Sequence, residues 1–467
     1  MSLEEAFEET KKELTITTDQ LNEITNHFVD ELNKGASVNG GNIPMIPSWV
    51  LNYPTGNETG EYLAIDLGGT NLRVVLVTLL GDGKFKFSSE KYPIPEPMRT
   101  GNSPDNLFDF IALNLHNFVI SQFGEINKIE KPLPLGFTFS YPALQTAINT
   151  GVLKTWTKGF DIDGVEGNDV VPILQNSINK LKTPINVVAL INDTTGTLVA
   201  SKYSDNKTIM GLIFGTGVNG AYYDMANEIP KLHGKLPDDI VENNEPMAIN
   251  CEYGAFDNEW KVLPRTKYDI QIDNESPRPG EQFYEKMIAG YYLGEVLRLI
   301  LLDYYSKNLI FKDQDIKPLQ VPFAMDTSYP SRIEEAKDKS FIDELFLESF
   351  NIKITSIERN LIHDLCILIG TRAARLSVCG IGAICKKRNY TSGHCASDGS
   401  VFNRYPNFKS RAHNALNDIF QWNCDPKDYP IQLIHAEDGS GVGAAIIACL
   451  TEKRLEQGKS VGIKSKI

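Results

Sequence analysis

No two cysteines in this 467-residue sequence stand in a CxxC pair, and the seven present are scattered and odd in number. That pattern argues against a disulfide framework or a zinc site and for reduced thiols in or near the core. No two histidines have HExxH or HxxxH spacing, so none receives a catalytic or metal role; only His394, near Asp398-Gly399, lies beside a candidate motif. Basic residues are few against acidic ones, 46 to 60, and the net charge of -14 opposes general attraction to nucleic acid or anionic membrane. Long apolar runs are missing too. Val74 to Leu80 is among the longest and falls far short of the ~20 residues that span a bilayer. The first residues, "MSLEEAFEETKKELTITT", are acidic and polar without a signal-peptide core, which makes a cytoplasmic setting the default expectation. Repeats of 20 to 50 residues and low-complexity tracts are absent from the sequence.

What remains is the composition of a globular protein, with 42% hydrophobic, 23% charged and 9% aromatic residues. A single core stops growing near roughly 250 to 300 residues, so the length predicts two domains with a cleft between them. Residues 17 to 34 read as an amphipathic helix, opened by a capping box of Thr17 and Gln20. After "GGNIPMIPSWV" the chain alternates strands and helices to about residue 190, including the apolar strand Ile185 to Ile191, which points to an α/β architecture. Residues 225 to 340 read as irregular and Pro-rich, with "PRTKYDIQIDNESPRPGEQ" as the longest loop region. Helical patterning is strong in "EQFYEKMIAGYYLGEVLRLILLDYYSKNL" and from Ile357 to Lys387.

Two stretches share a design. "LAIDLGGTNLRVVLV" (63–77) and "IMGLIFGTGVNGAYY" (209–223) are each an apolar strand, a tight Gly/Thr turn and a return strand. Backbone N–H groups in such turns can approach phosphate oxygens because no Cβ intervenes, and a Thr hydroxyl adds a donor. Gly68, Gly69 and Thr70 can act this way, as can Gly215, Thr216 and Gly217; two unrelated hairpins are the bland alternative. Asp66, inside an otherwise apolar strand, is costly unless something compensates its charge. A Mg²⁺ ion between it and bound phosphates would do so, since Mg²⁺ keeps several waters and uses few protein carboxylates.

These hairpins and the blocks "LGFTFSYPA", "TWTKGFD", "VALINDTTGTLVAS", "NCEYGAFDN", "PRPGEQFYEKMIAGYYLGE", "ASDGSVFNRYPNF" and "AEDGSGVGAA" occur in the order found in hexokinases. "GGNIPMIPSWV" resembles the fungal branch. The resemblance covers nearly the whole chain. It implies the actin-like ATPase (ribonuclease H-like) fold, α/β and two-lobed around a hinged cleft. The small domain would comprise 54–191 plus about 440–467, and the large domain 1–53 plus 192–439. It also implies ATP with Mg²⁺, and a hexose phosphorylated at O6. A longer N-terminal regulatory tail is not expected, and oligomeric state is left open, a homodimer included.

Carried over residue by residue, the resemblance implies a sugar pocket of Ser140, Thr157, Lys158, Asn192, Asp193, Asn219, Glu252 and Glu285, with Gln282 as a further candidate. Amides, carboxylates and hydroxyls suit a ring of hydroxyls that both donate and accept. Asp193 follows an apolar strand, where open α/β sheets bind ligands, and would be the general base toward the 6-hydroxyl. Lys158 would lend charge to the transferring phosphoryl. Asp66 would hold the metal through water. Asn71 and Arg73 adjoin the first turn, and Arg73 either reaches phosphate or pairs with a carboxylate. Gly399, Ser400, Gly439 and Gly441 would lie near the nucleotide. Taken singly, Asn192-Asp193 is also a helix cap, Ser140 a turn residue and Glu285 a solvated carboxylate.

Two other readings stand beside the broad hexokinase: a glucose-restricted glucokinase and a hexokinase-like sugar sensor. A third, an actin-like assembly or chaperone ATPase, would need no sugar pocket, and the joint presence of "TFSYPA", "TKGF", "NCEYG" and "FYEKM" excludes it. Ser465-Lys466-Ile467 is one residue away from a peroxisomal address, with a basic frayed tail as the plainer reading.

Overall fold

The computed structural model describes residues 1–157 and 159–464. Lys158 and Ser465-Lys466-Ile467 lie outside the described residues. In chain order the strands are β1 (Ile46–Leu51), β2 (Thr59–Leu67), β3 (Asn71–Gly81), β4 (Lys84–Pro93), β5 (Thr100–Gly101), β6 (Leu133–Phe139), β7 (Ala143–Leu144), β8 (Val152–Leu153), β9 (Asp161–Ile162), β10 (Ile185–Ile191), β11 (Thr208–Phe214), β12 (Val218–Met225), β13 (Pro246–Asn250), β14 (Gly393–Asp398) and β15 (Ile431–His435).

Two large sheets organise the chain. One runs β10-β6-β2-β3-β4 and the other β15-β14-β11-β12-β13-β1. In both, three consecutive strands pair antiparallel and two later strands add parallel to the first of them. Apart from β1, the sheets therefore have one topology, which defines the two-lobed actin-like ATPase fold. The parallel strands are apolar because both faces of each sheet are covered. Leu135, Phe137, Leu63 and Ile65 are fully buried in one sheet, Leu212 and Ala396 in the other.

The last helix of each half crosses to the other sheet. Helix Asp193–Ser204 follows β10 yet lies on β11 and β12, whereas helix Gly439–Glu456 follows β15 yet lies on β2 and β6. The two helices touch through glycine. A Cβ on Gly443 would stand 2.1 Å from the Gly196 carbonyl oxygen, and one on Gly439 would stand 2.4 Å from Thr197 Oγ1. No residue with a side chain fits at such distances, so backbone meets backbone where the halves join.

Helix Thr18–Ser37 opens with the capping box of Thr17 and Gln20. Helix Ser356–Arg388 has the length and apolarity to cross a membrane, but 78% of its most apolar window is buried inside the protein, so it is a core helix. The stretch 264–282, expected as a loop, instead holds helix Lys267–Glu275. Its prolines fall outside that helix, while Thr266 and Asp269 form a capping box and buried Asp269 binds Arg372 through two contacts of 2.8 and 2.9 Å. Past the last helix the chain returns as a strap. Val461 and Ile463 bond to Ile148 and Thr146, and Lys464 N donates to Lys235 O at 2.8 Å.

Candidate functional site

The candidate sugar residues of the six-stranded sheet converge. Asn219 lies on β12, and Glu252 lies just past β13 in the left-handed region at φ 54°. Asn219 Oδ1 accepts from the backbone N–H of Gly220 (2.7 Å) and of Glu252 (2.9 Å), which fixes the orientation of its amide. Its Nδ2 then donates to Asn250 Oδ1 (2.8 Å) and Glu252 Oε1 (3.3 Å). Asn192 Nδ2 reaches the same Glu252 oxygen at 3.4 Å. Asn250 was not among the residues expected from sequence; it closes β13, and its amide meets Glu252 through a contact of 2.8 Å.

Glu285 approaches from helix Phe283–Ile288, where its Oε2 accepts from Val218 N at 2.8 Å. Gly217 leaves room for that carboxylate, since a Cβ there would lie 2.7 Å from Oε2. Gly254 does the same for Gln282, whose Oε1 a Cβ would meet at 2.4 Å. These glycines shape the cluster rather than merely bending the chain.

Asn192 is the N-cap of helix Asp193–Ser204, accepting from Thr194 N at 2.8 Å, so the capping reading holds alongside the contact with Glu252. Asp193 is the first helical residue. Its Oδ1 accepts from Thr194 N (2.7 Å) and Thr194 Oγ1 (3.2 Å), which orients the carboxylate at the C-terminal end of β10.

Ser140 follows β6. Its neighbour Tyr141 donates to the Gly68 carbonyl at 3.1 Å, tying this segment to the turn between β2 and β3. Tyr141, Trp156 and Phe160 form an aromatic cluster, with Trp156 and Phe160 stacked at 5.3 Å, and this anchors the chain on both sides of Thr157. Burial pushes the Tyr141 phenol well up, so the hydroxyl stays a donor.

The two Gly-rich turns differ in their support. In the first, Gly68 N donates to Asn71 O, and Asn71 Nδ2 donates to Thr70 Oγ1 at an exposed tip. Asp66 accepts from Ser440 Oγ at 2.7 Å, and Thr138 Oγ1 donates to Ser440 O at 2.8 Å. Arg73 pairs with Asp438 through both terminal nitrogens and lies over the Phe87 ring. This is the carboxylate pairing expected as one of its two roles. Gly439 and Gly441 also have a packing reason: Gly439 adjoins Thr197, and a Cβ on Gly441 would sit 3.1 Å from Val75. In the second turn, Gly215 N donates to Gly217 O, and a Cβ on Gly399 would stand 2.4 Å from Phe214 O. Thr216 sits at the exposed tip of this turn and Ser400 opens helix Ser400–Arg404 beside Gly399. One turn thus borders Glu285 on one side and Gly399 on the other.

His394 belongs elsewhere. It pairs with Asp205 at the start of β14, the end opposite Asp398. Six cysteines are buried and Cys424 is exposed. Among the described residues no group of three His, Cys, Asp or Glu side chains is arranged to hold a metal ion.

Fold and crossed helices define the class, a two-lobed protein of actin-like ATPase architecture, and comparison with known proteins narrows it. Family models described as hexokinase match residues 6–203 and 209–450. A hexokinase of Kluyveromyces lactis is 61% identical over 97% of this chain and 93% of its own. Hexokinase-2 of Saccharomyces cerevisiae is 60% identical over 99% of this chain and 95% of its own. A solved structure of hexokinase from Schistosoma mansoni complexed with glucose superposes with a TM-score of 0.84 at 32% identity, covering 96% of this chain and all of that one. The chain belongs to the hexokinase family.

Proposed function

We propose that this hexose kinase transfers the γ-phosphoryl group of ATP to O6 of glucose, fructose and mannose. The observation that carries the reading is the cluster of Asn192, Asn219 and Glu252 beside Asp193. Amides offer donors and acceptors together, and the carboxylate accepts from sugar hydroxyls, so a polyol can be fixed without net attraction to ions. Asp193, held by Thr194, takes the 6-hydroxyl proton as O6 attacks the γ-phosphorus and the bond to ADP breaks. Ser140 and Thr157 hold the sugar from the other lobe, and Lys158 is assigned there by resemblance.

The nucleotide phosphates are read as lying between the turns Gly68–Asn71 and Gly215–Gly217, whose N–H groups suit anions. Mg²⁺ fits the donors at Asp66, because it favours oxygen ligands, keeps waters and needs one carboxylate. When bound, it neutralises phosphate charge. Asp66 is oriented for this by Ser440. The domain division at 54–191 with about 440–467, and a cytoplasmic setting, belong to the same reading.

The test is a coupled assay of hexose 6-phosphate formation with saturating Mg-ATP and each sugar in turn. Turnover with all three supports the broad hexokinase. Turnover with glucose alone makes the protein a glucokinase, and none with any sugar overturns the reading.

A further inference from the structure

Asn250 is buried at the end of β13, with 6% of its surface exposed, and both ends of its carboxamide are used. Its Oδ1 accepts from Asn219 Nδ2 and its Nδ2 donates to Glu252 Oε1, each at 2.8 Å. The orientation is forced. Asn219 Oδ1 already takes two backbone N–H groups, so its nitrogen must face Asn250, and the Asn250 nitrogen must then face Glu252. Of the three amide contacts to Glu252 Oε1, this is the shortest.

We propose that Asn250 is a positioning residue for the sugar pocket: it sets the rotation of the Glu252 carboxylate and couples it to Asn219. The inference rests on Glu252 being a sugar ligand. Glu252 has a left-handed backbone, so its side chain leaves the chain at an angle that the strand does not dictate, and a side-chain contact has to supply the aim. Asn250 supplies it from two residues away.

Charge makes this testable. In Asn250→Asp a protonated carboxyl can reproduce both roles, accepting from Asn219 and donating to Glu252. An ionised one places two carboxylates in contact, where one pKa rises strongly because both cannot ionise cheaply. Other titratable groups near Glu252 are Asp193 beside Asn192, Glu285 across Gly254, and Cys251, which burial keeps a neutral thiol. The comparison is therefore variant against wild type at each pH.

Glucose affinity without ATP, measured by calorimetry from pH 5.5 to 8, is expected to weaken by about tenfold more in Asn250→Asp than in wild type as pH rises. Asn250→Ala should weaken glucose binding about tenfold at every pH, with KM for ATP unchanged. Melting curves accompany both, and Asn250→Ala carries the test if Asn250→Asp does not fold. A pH response parallel to wild type, or an alanine variant that binds glucose as wild type does, overturns the proposal. Glu252→Gln separates the two levels. If it leaves glucose affinity intact, the assignment of Glu252 itself fails; if it weakens affinity while both Asn250 variants do not, only the positioning role fails.

Discussion

Ser440 donates its hydroxyl hydrogen to Asp66 across 2.7 Å, joining residues 374 positions apart. The carboxylate inside an otherwise apolar strand thus finds a hydrogen-bond donor in the first turn of the helix that crosses to its sheet. Removing that hydroxyl should misdirect Asp66 without touching the sugar cluster. Ser440→Ala is expected to lower kcat/KM for Mg-ATP by about tenfold, in line with a hydrogen bond to a charged group. Glucose affinity measured by calorimetry should stay at the wild-type value, and a loss there instead would move Asp66 to the sugar side.

Asp193→Ala should retain measurable glucose binding while turnover falls by about 10²- to 10⁴-fold, the range of general acid–base groups. The coupled assay and a glucose titration separate the two. Turnover within a few-fold of wild type would remove Asp193 from the chemistry.

Closure of the cleft is tested with a sugar that lacks the acceptor. Ser140 follows β6 of the five-stranded sheet, and Asn219, Glu252 and Glu285 lie by the six-stranded one, so under the proposed sugar-site assignment a hexose would bridge both. Xylose, without the CH₂OH arm, can draw the lobes together and leave room for water at Asp193. ADP release at fixed Mg-ATP should rise above the sugar-free rate with no sugar phosphate formed. An unchanged rate despite demonstrated xylose binding would break the link between closure and catalysis.

His413 gives a stability prediction. Burial, with a smaller push from Lys409, lowers its pKa from 6.5 to about 4, and its Nε2 accepts from Leu433 N at 2.7 Å. The folded state thus keeps the ring neutral while the unfolded chain protonates near 6.5. The contribution is complete above that value and is lost as pH falls toward 4, by about 1.4 kcal/mol per pH unit. Urea midpoints at pH 7, 6 and 5 should fall more steeply for wild type than for His413→Gln, whose amide oxygen can still accept from Leu433. Parallel slopes would contradict this.

Local patterns were readable from sequence where local physics decides. The strand Ile185–Ile191, the capping box at Thr17 and the two Gly-rich hairpins follow from periodicity and turn chemistry. Helix Lys267–Glu275 was missed because prolines on both sides outweighed its own capping box. Asn250, Ser440, Asp438 and Thr138 were missed for another reason. Three of them act across hundreds of residues, as Thr138 does on Ser440 at a separation of 302. No window of sequence holds both partners. Asn250 is close to Glu252 in sequence, but the left-handed backbone at Glu252 breaks the strand alternation that would have paired them.

Helix Ser356–Arg388 has a consequence for how the chain is made. It lies against helix Thr18–Ser37, synthesised long before it, and helix Phe408–Phe420, synthesised after it. A nascent chain that ends between them therefore carries a 33-residue helix, with an 18-residue apolar window, part of whose surface is still uncovered. Synthesis runs at about 5–20 residues per second, so this exposure lasts seconds on every ribosome, and it is the interval in which a chaperone or a neighbouring nascent chain would find the protein.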